Sequence, residues 1–367
     1  MDSPRLFAPL LCCLAAVASA HTDDKTDIMK SPIKPDEAVT LFTTAAWPSQ
    51  KLAGAWEVEI HGVIYEEERR RILSAALVKA LDLQPENLTE MERDTLKQRT
   101  ALFMVDNERD KALPVQVGTR VHLLAPSGPN GHFQEIITLS GDAVTAAAKG
   151  GLLPLQVLTP PGDTRSFTGS VCVLPDGPAP LVISDVDDTI KVSSVRDRQE
   201  LKRHTFCRPF QPVAGMAELY QSWARNSAAG FCYVTSSPYQ LYRPLEEFRQ
   251  AHLFPPGAWQ MKHLRLMDTQ TIRALFAPQT EHKLEAIEPL LERWPLRPVI
   301  LVGDSGEQDP EIFAALARRH PRRIARIFIR TESGELRDAR RYREAFEGID
   351  PAKWQLFRDA AELPQHL

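Results

Sequence analysis

Cysteine is scarce in this chain, with five among 367 residues. Two of them, Cys12 and Cys13, fall in an N-terminal stretch built like a removable leader, outside any convincing lipoprotein context. The other three, Cys172, Cys207 and Cys232, are too few for the disulfide framework that holds small secreted domains together. Cys232 lies in an apolar run and reads as a small core residue, while the spacing of Cys172 and Cys207 leaves their pairing open. An excess of one charge is also lacking: 44 Lys and Arg stand against 48 Asp and Glu, a net charge of −4. That near-balance excludes capture of nucleic acid by the overall field. No nucleic-acid motif occurs, and the aromatics are not interleaved with basic residues on the scale that single strands require. Beyond the leader no run of about 20 apolar residues appears, so the mature chain is expected to be soluble. Repeats and low-complexity tracts are absent as well.

What is present begins with Arg5, the apolar run Leu6 to Val17 and the small triplet Ala18-Ser19-Ala20, the build of a cleavable secretory signal. Cleavage near Ala20 would make His21 the first mature residue and the protein secreted or periplasmic. Residues 21–38 are polar, with Pro32 and Pro35, and read as an extended lead-in. From Val39 to Pro175 short β-prone runs recur: Thr40 to Thr44, Trp56 to Tyr65, Thr119 to Leu124, Phe133 to Leu139, Leu153 to Leu158 and Ser166 to Leu174. They predict a mainly-β sandwich or barrel, interrupted by a helical segment around Glu67 to Leu83. Asp176-Gly177-Pro178-Ala179-Pro180 breaks the chain, and a domain over residues 176–367 follows with a different rhythm. There apolar strands alternate with amphipathic helices. The strands are Leu181 to Ser184, Phe231 to Thr235, Val299 to Val302 and Ile324 to Ile329. The helices carry Met216, Leu219, Tyr220 and Trp223; Leu245 and Phe248; Lys283, Leu284, Ile287 and Leu291; and a start at Asp309-Pro310-Glu311. The class is α/β, a Rossmann-like parallel sheet with helices on both faces.

Ligands of such sheets bind at the carboxyl ends of the strands. Three strands here end in reactive residues: Asp185-Val186-Asp187-Asp188-Thr189, Thr235-Ser236-Ser237-Pro238, and Gly303-Asp304-Ser305-Gly306-Glu307-Gln308-Asp309. The Asp185 carboxylate can attack phosphorus and form an acyl phosphate, splitting one hard displacement into two easier ones. Asp187 can protonate the leaving oxygen and then deprotonate the hydrolytic water. Such acidic groups facing an anionic phosphoryl group call for a cation, and Mg²⁺ accepts carboxylates and a backbone carbonyl; Asp185, Asp187, Asp304 and Asp309 are its expected metal-site positions. Asp309 is expected to orient the ion's ligands and to cap the following helix. Thr235 or its neighbour Ser236 would bind a phosphoryl oxygen. Lys283 would offset the charge of the nucleophile and of the transition state. For Asp188 and Ser305, as for Asp309, a loop or capping role is the ordinary one.

These strings resemble the four motifs of the haloacid dehalogenase superfamily. Ile183 to Lys191, Tyr233 to Tyr242, His282-Lys283 and Gly303 to Glu311 are similar to the catalytic domain of the actin-patch-associated phosphatidate phosphatase family. The resemblance covers about Pro178 to Arg330. It implies a Rossmann-like core, Mg²⁺ dependence and removal of phosphate from phosphatidate or a related lipid phosphate. By position it makes Asp185 the nucleophile and a metal ligand, Asp187 the acid and base, Thr235 the hydroxyl of the second motif, Lys283 the lysine of the third, and Asp304 a metal ligand. The leader departs from the best-known cytosolic members of that family.

The substrate is less sharply drawn. Between Lys191 and Arg208 six Lys or Arg residues face Asp197 and Glu200, an excess that suits an anionic headgroup or membrane, or a solvated loop. Trp259 to Met267 mixes Trp259, Met261, Leu264, Leu266 and Met267 with basic residues, which fits transient contact with an anionic membrane or local packing. Three readings follow: a lipid-phosphate phosphatase, a phosphatase of soluble sugar or nucleotide phosphates, and a non-catalytic binding protein acting through its β domain. Protein partners are not legible.

Overall fold

The computed structural model describes residues 31–67, 77–264, 280–332 and 334–367. The leader, most of the lead-in, part of the 67–83 segment and the last three residues of the 259–267 segment lie outside them. Within the 67–83 segment, residues 77–81 are helical.

Nine strands form one sheet: β1 (Glu37–Leu41), β2 (Thr44–Pro48), β3 (Ala55–Glu66), β4 (Asp106–Asn107), β5 (Pro114–Val117), β6 (Arg120–Leu123), β7 (His132–Ser140), β8 (Leu152–Val157) and β9 (Phe167–Val173). Their order is β1-β3-β2-β9-β8-β5-β6, with β4 and β7 also on β3. The sandwich or barrel anticipated from sequence is therefore a single continuous sheet folded over its own core. That core is built from Val58, Ile60 and Ile64 of β3, Phe133 and Ile137 of β7, and Leu153 and Leu155 of β8. Gly62 belongs to the same row of β3, and it is bare because a Cβ there would lie 2.5 Å from the Phe133 ring. The opposite row of β3 carries Glu59 and His61, which look solvent-facing by alternation. Both are nevertheless buried, because the second half of the chain covers them.

The run Thr40 to Thr44, expected as one strand, is split between β1 and β2. Thr43 turns away from the ladder to accept the Trp259 N–H at 2.9 Å, and Tyr242 Oη lies 2.8 Å from both its N–H and its hydroxyl.

The second sheet has six parallel strands: β10 (Leu181–Ser184), β11 (Gly230–Pro238), β12 (Ala258–Lys262), β13 (Val299–Asp304), β14 (Ile324–Arg330) and β15 (Trp354–Phe357). The order β12-β11-β10-β13-β14-β15 is the doubly wound one, reversing direction between β10 and β13. Strand residues alternate between two cores. Val182, Tyr233 and Val302 meet α4 (Met216–Ser227) and α5 (Tyr242–Ala251) on one face. Ile183, Val234 and Leu301 meet α6 (Thr280–Arg293) and α7 (Asp309–Arg319) on the other. The remaining helices are α1 (Glu90–Ala101), α2 (Gly141–Ala147), α3 (Arg198–Phe206) and α8 (Arg340–Ala345).

Neither core belongs to one sheet alone. Phe42 enters the first and Trp47 the second, both from the N-terminal half. Trp259 and Met261 are 1% and 2% exposed, so between lipid contact and local packing it is packing that holds for this stretch. Leu266 and Met267 lie outside the described residues. Cys172, Cys207 and Cys232 are buried and free, so Cys172 and Cys207 do not pair. No described helix is long and apolar enough to cross a membrane.

Replacing Tyr242 by Phe should strand the buried Thr43 N–H without its partner. Urea titration is expected to show a loss of about 1–3 kcal/mol; an unchanged midpoint would mean that the contact between the sheets does not depend on this bond.

Candidate active site

The point where the strand order reverses lies between β10 and β13, and both strands end there in an aspartate. β10 delivers Asp185 directly after Ser184, with its N–H donated to Val302 of β13 at 2.8 Å. Asp185 is 2% exposed. Its Oδ1 lies 2.8 Å from Lys283 Nζ, and its Oδ2 accepts the Thr189 hydroxyl at 2.9 Å.

Lys283, near the start of α6, is equally buried and reaches two further carboxylates, Asp309 at 2.6 Å and Glu307 at 2.9 Å. An ammonium removed from water is tolerable only with such compensation. Burial works against its charge, but the three acids outweigh that and hold Lys283 well above the usual lysine range. Asp185, Glu307 and Asp309 each bring an oxygen within 4.8 Å of the others, and the ammonium they share occupies the space between them.

Asp309 does not cap α7, contrary to the sequence reading. Gln308 takes the cap position without a side-chain bond, and Asp309 turns inward. Beyond Lys283 it accepts the Asp304 N–H at 3.2 Å. This inward turn needs Gly303, because a Cβ there would lie 2.2 Å from Asp309 Oδ2. Asp304 accepts the Gly306 N–H on Oδ2, while its Oδ1 is buried with no partner among the described residues. Burial and the adjacent Asp309 push the Asp304 carboxyl well above its usual range, and burial does the same to Asp185 against the pull of Lys283. Two buried acids that resist ionisation, one with an orphaned oxygen, fit a divalent cation bound by oxygen ligands. Asp309 gives Oδ1 to Lys283 and Oδ2 to the Asp304 N–H, which places it behind Asp304 as an orienting group.

Asp187 sits in a different electrostatic setting. Lys191 Nζ lies 2.7 Å from Oδ1 and the Ser193 hydroxyl donates to the same oxygen at 2.6 Å. Thr235 donates to Oδ2 at 3.1 Å, and Ser237 lies 3.4 Å from it. Burial alone would raise the Asp187 carboxyl, but Lys191 and these hydroxyls hold it below the ordinary range.

Asp188 organises the loop that follows the two acids. It sits at φ 55° and accepts the N–H groups of Ser193, Ser194 and Val195 at 2.6–2.9 Å. Such a local role is what short acidic side chains ordinarily serve. Arg330 secures the same loop by donating to the Asp188 carbonyl at 2.7 Å.

One network therefore joins Asp185, Asp304, Asp309 and Lys283, and a second joins Asp187 to Thr235. Ser236 is half-buried in β11, which runs on to Pro238. Sequence reasoning passed over Thr189, Lys191, Ser193, Ser237 and Glu307. Lys191 was counted with the basic loop, yet its place four residues after Asp187 was the available signal. The loop's other basic residues are partly spent too: Arg196 binds Glu335 and Ser305, and Arg208 binds Glu200 and Glu92.

Residues 180–331 match the family model for the catalytic domain of phosphatidate phosphatase APP1. That is the family the motifs resemble. Over 160 residues the chain is 34% identical to Phosphatidate phosphatase APP1 of Saccharomyces cerevisiae, an alignment covering 43% of this chain and 27% of the yeast protein. Over 153 residues it is 31% identical to an uncharacterized protein of Schizosaccharomyces pombe, covering 41% and 24%. The chain thus spans about a quarter of the length of these curated relatives. Asp185, Asp187, Thr235, Lys283 and Asp304 all lie in the matched stretch, and the nine-stranded sheet lies before it.

Lys191→Met should leave Asp187 buried without its cation, at a cost of about 3–5 kcal/mol in chemical unfolding. It should also raise the Asp187 pKa, so activity that needs the ionised carboxylate should fail at a higher pH on the acidic limb of the kcat profile. An unshifted limb would separate Lys191 from Asp187's protonation.

Proposed function

We propose that this chain is a Mg²⁺-dependent phosphatase of the haloacid dehalogenase type, hydrolysing phosphatidate or a related lipid phosphate monoester through an aspartyl-phosphate on Asp185. The observation that carries the reading is the buried Lys283 ammonium bound to Asp185 at the switch point of the sheet, where the neighbouring strand ends in Asp304, one of whose oxygens has no partner among the described residues. The name of the yeast relative supports the lipid substrate.

In the first step the Asp185 carboxylate attacks phosphorus while the ester P–O bond breaks, and Asp187 hands its proton to the departing alcohol. Asp187 is ionised at rest, so it must take up that proton when the dianionic phosphate arrives, as like-charge repulsion favours. In the second step Asp187 removes a proton from water, the water oxygen joins phosphorus, and the bond to Asp185 breaks to release phosphate. Lys283 pulls Asp185 toward the ionised form that attack requires, against its burial, and offsets charge on the phosphoryl oxygens. The Thr235 hydroxyl, now on Asp187, is within reach of both the acid and an incoming phosphate, with Ser236 beside it. Asp185 and Asp304 would hold Mg²⁺, with Asp187 contributing its carbonyl; the ion supplies positive charge to the phosphoryl group.

Phosphate release from phosphatidate in mixed micelles and from soluble monoesters, with Mg²⁺ or EDTA, tests the reading. Mg²⁺-dependent release favouring micelles, lost by at least about 1000-fold in Asp185→Asn, is expected. Release from soluble esters alone would replace the lipid by a sugar or nucleotide phosphate, and folded protein without activity would overturn the enzyme.

We also propose that residues 1–20 direct export. N-terminal sequencing of the protein made in its host should then begin at His21, and a chain retaining Met1 would refute it.

A further inference from the structure

A second cluster of ligating side chains lies away from the carboxylates, where the nine-stranded sheet meets the edge of the parallel one. His61 of β3 and His132 of β7 share a face of the first sheet, because the register pairs His61 with Gln134 and Val63 with His132. This diagonal relation brings His61 Nε2 within 3.1 Å of His132 Nδ1. His263 follows β12 directly and approaches from the other sheet, with its ring centroid 4.6 Å from that of His132 and 5.4 Å from that of His61. One ring nitrogen from each of the three lies within 4.8 Å of the others.

The surroundings suit a transition metal better than a cluster of charges. Phe42 packs at 4.8 Å from the His61 ring, and Tyr239 at 4.8, 5.4 and 4.9 Å from His61, His132 and His263. No carboxylate belongs to the set. Burial and the neighbouring imidazoles hold His61 well below the usual histidine range and His132 down at about 3. Both rings are therefore neutral at physiological pH; their 3.1 Å contact is a hydrogen bond, and moving its proton to the donor ring's other nitrogen leaves a lone pair on each facing nitrogen. His132 also lines a cavity of about 320 Å³, shared with Tyr65, Asn107 and Arg243.

We propose that His61, His132 and His263 bind a divalent transition ion of the zinc class, with the fourth coordination position open to water. Three imidazoles select zinc, cobalt, nickel or copper and reject Mg²⁺, which requires oxygen ligands. Nitrogens on a tetrahedral ion at 2.0–2.1 Å stand about 3.3 Å apart. The His61–His132 pair already meets this spacing, and His263, exposed at the end of its strand, closes on them. Two ligands come from one sheet and one from the other, so the ion would clasp the two halves of the chain. This site is independent of the carboxylates and of the phosphatase reading.

Cobalt(II) titration of the tag-free, chelator-treated full chain in excess Mg²⁺ tests the assignment. One equivalent should develop the intense visible absorption of four-coordinate Co²⁺, abolished by one equivalent of Zn²⁺. His263→Ala should lose the signal while keeping the circular dichroism of the parent, and His132→Gln should lose it too. Asp304→Asn should keep it. Zinc at 100 times its dissociation constant should raise the unfolding temperature by about 4 °C in the parent and not in His263→Ala. A weak, six-coordinate spectrum, or a four-coordinate one that survives both histidine substitutions, would overturn the site.

Discussion

A lysine ammonium sealed from water is the constraint on which the rest of this site depends. Lys283 can stay charged inside the protein only because Asp185, Glu307 and Asp309 surround it, and each acid in turn is tolerable only because of the lysine. The arrangement requires that β10 and β13 be neighbours, that α6 begin over their carboxyl ends, and that α7 start with an acid turned inward. It requires bare backbone at Gly303, where Asp309 passes too close for any side chain. The sheet order and the helix starts are thus conditions of one charge balance.

Within that balance two aspartates two residues apart have opposite characters. Asp185 is pushed toward its neutral form by burial and by acidic neighbours, while Asp187 is held toward its ionised form by Lys191 and the Ser193 and Thr235 hydroxyls. Pairs of acids driven apart in this way are how one site supports both nucleophilic and proton-transfer chemistry. Asp188, directly after them, spends its carboxylate on three backbone N–H groups and fixes the turn that follows.

The parallel half of the fold was legible because strands buried on both faces read as continuous apolar runs. Leu181 to Ser184 and Val299 to Val302 are of this kind, and the reactive residues follow them immediately. β12 and β15 were not seen, since short edge strands mix polar residues into their pattern. Residues 259–264 left lipid contact and local packing both open for the same reason. The burial of Glu59 and His61 was also invisible, because alternation marks one face of a strand as polar without saying what covers it. Long basic side chains posed a similar difficulty: Lys191, Arg196 and Arg208 counted as a positive surface, yet each reaches a specific acid or carbonyl that sequence proximity does not reveal. The three histidines are scattered over about two hundred positions, and only strand register and the meeting of the sheets bring them together.

The cores themselves have a further consequence. Phe42 and Trp47 stand in the same apolar clusters as the strands that carry Asp185 and Asp304, so no boundary of solvent separates the two halves. Loosening the first sheet would open the interior beneath the second, which couples the stability of the two halves. A phosphorylated molecule held at the carboxyl ends of β10 and β13 would then lend its binding free energy to the folding of a sheet it never touches.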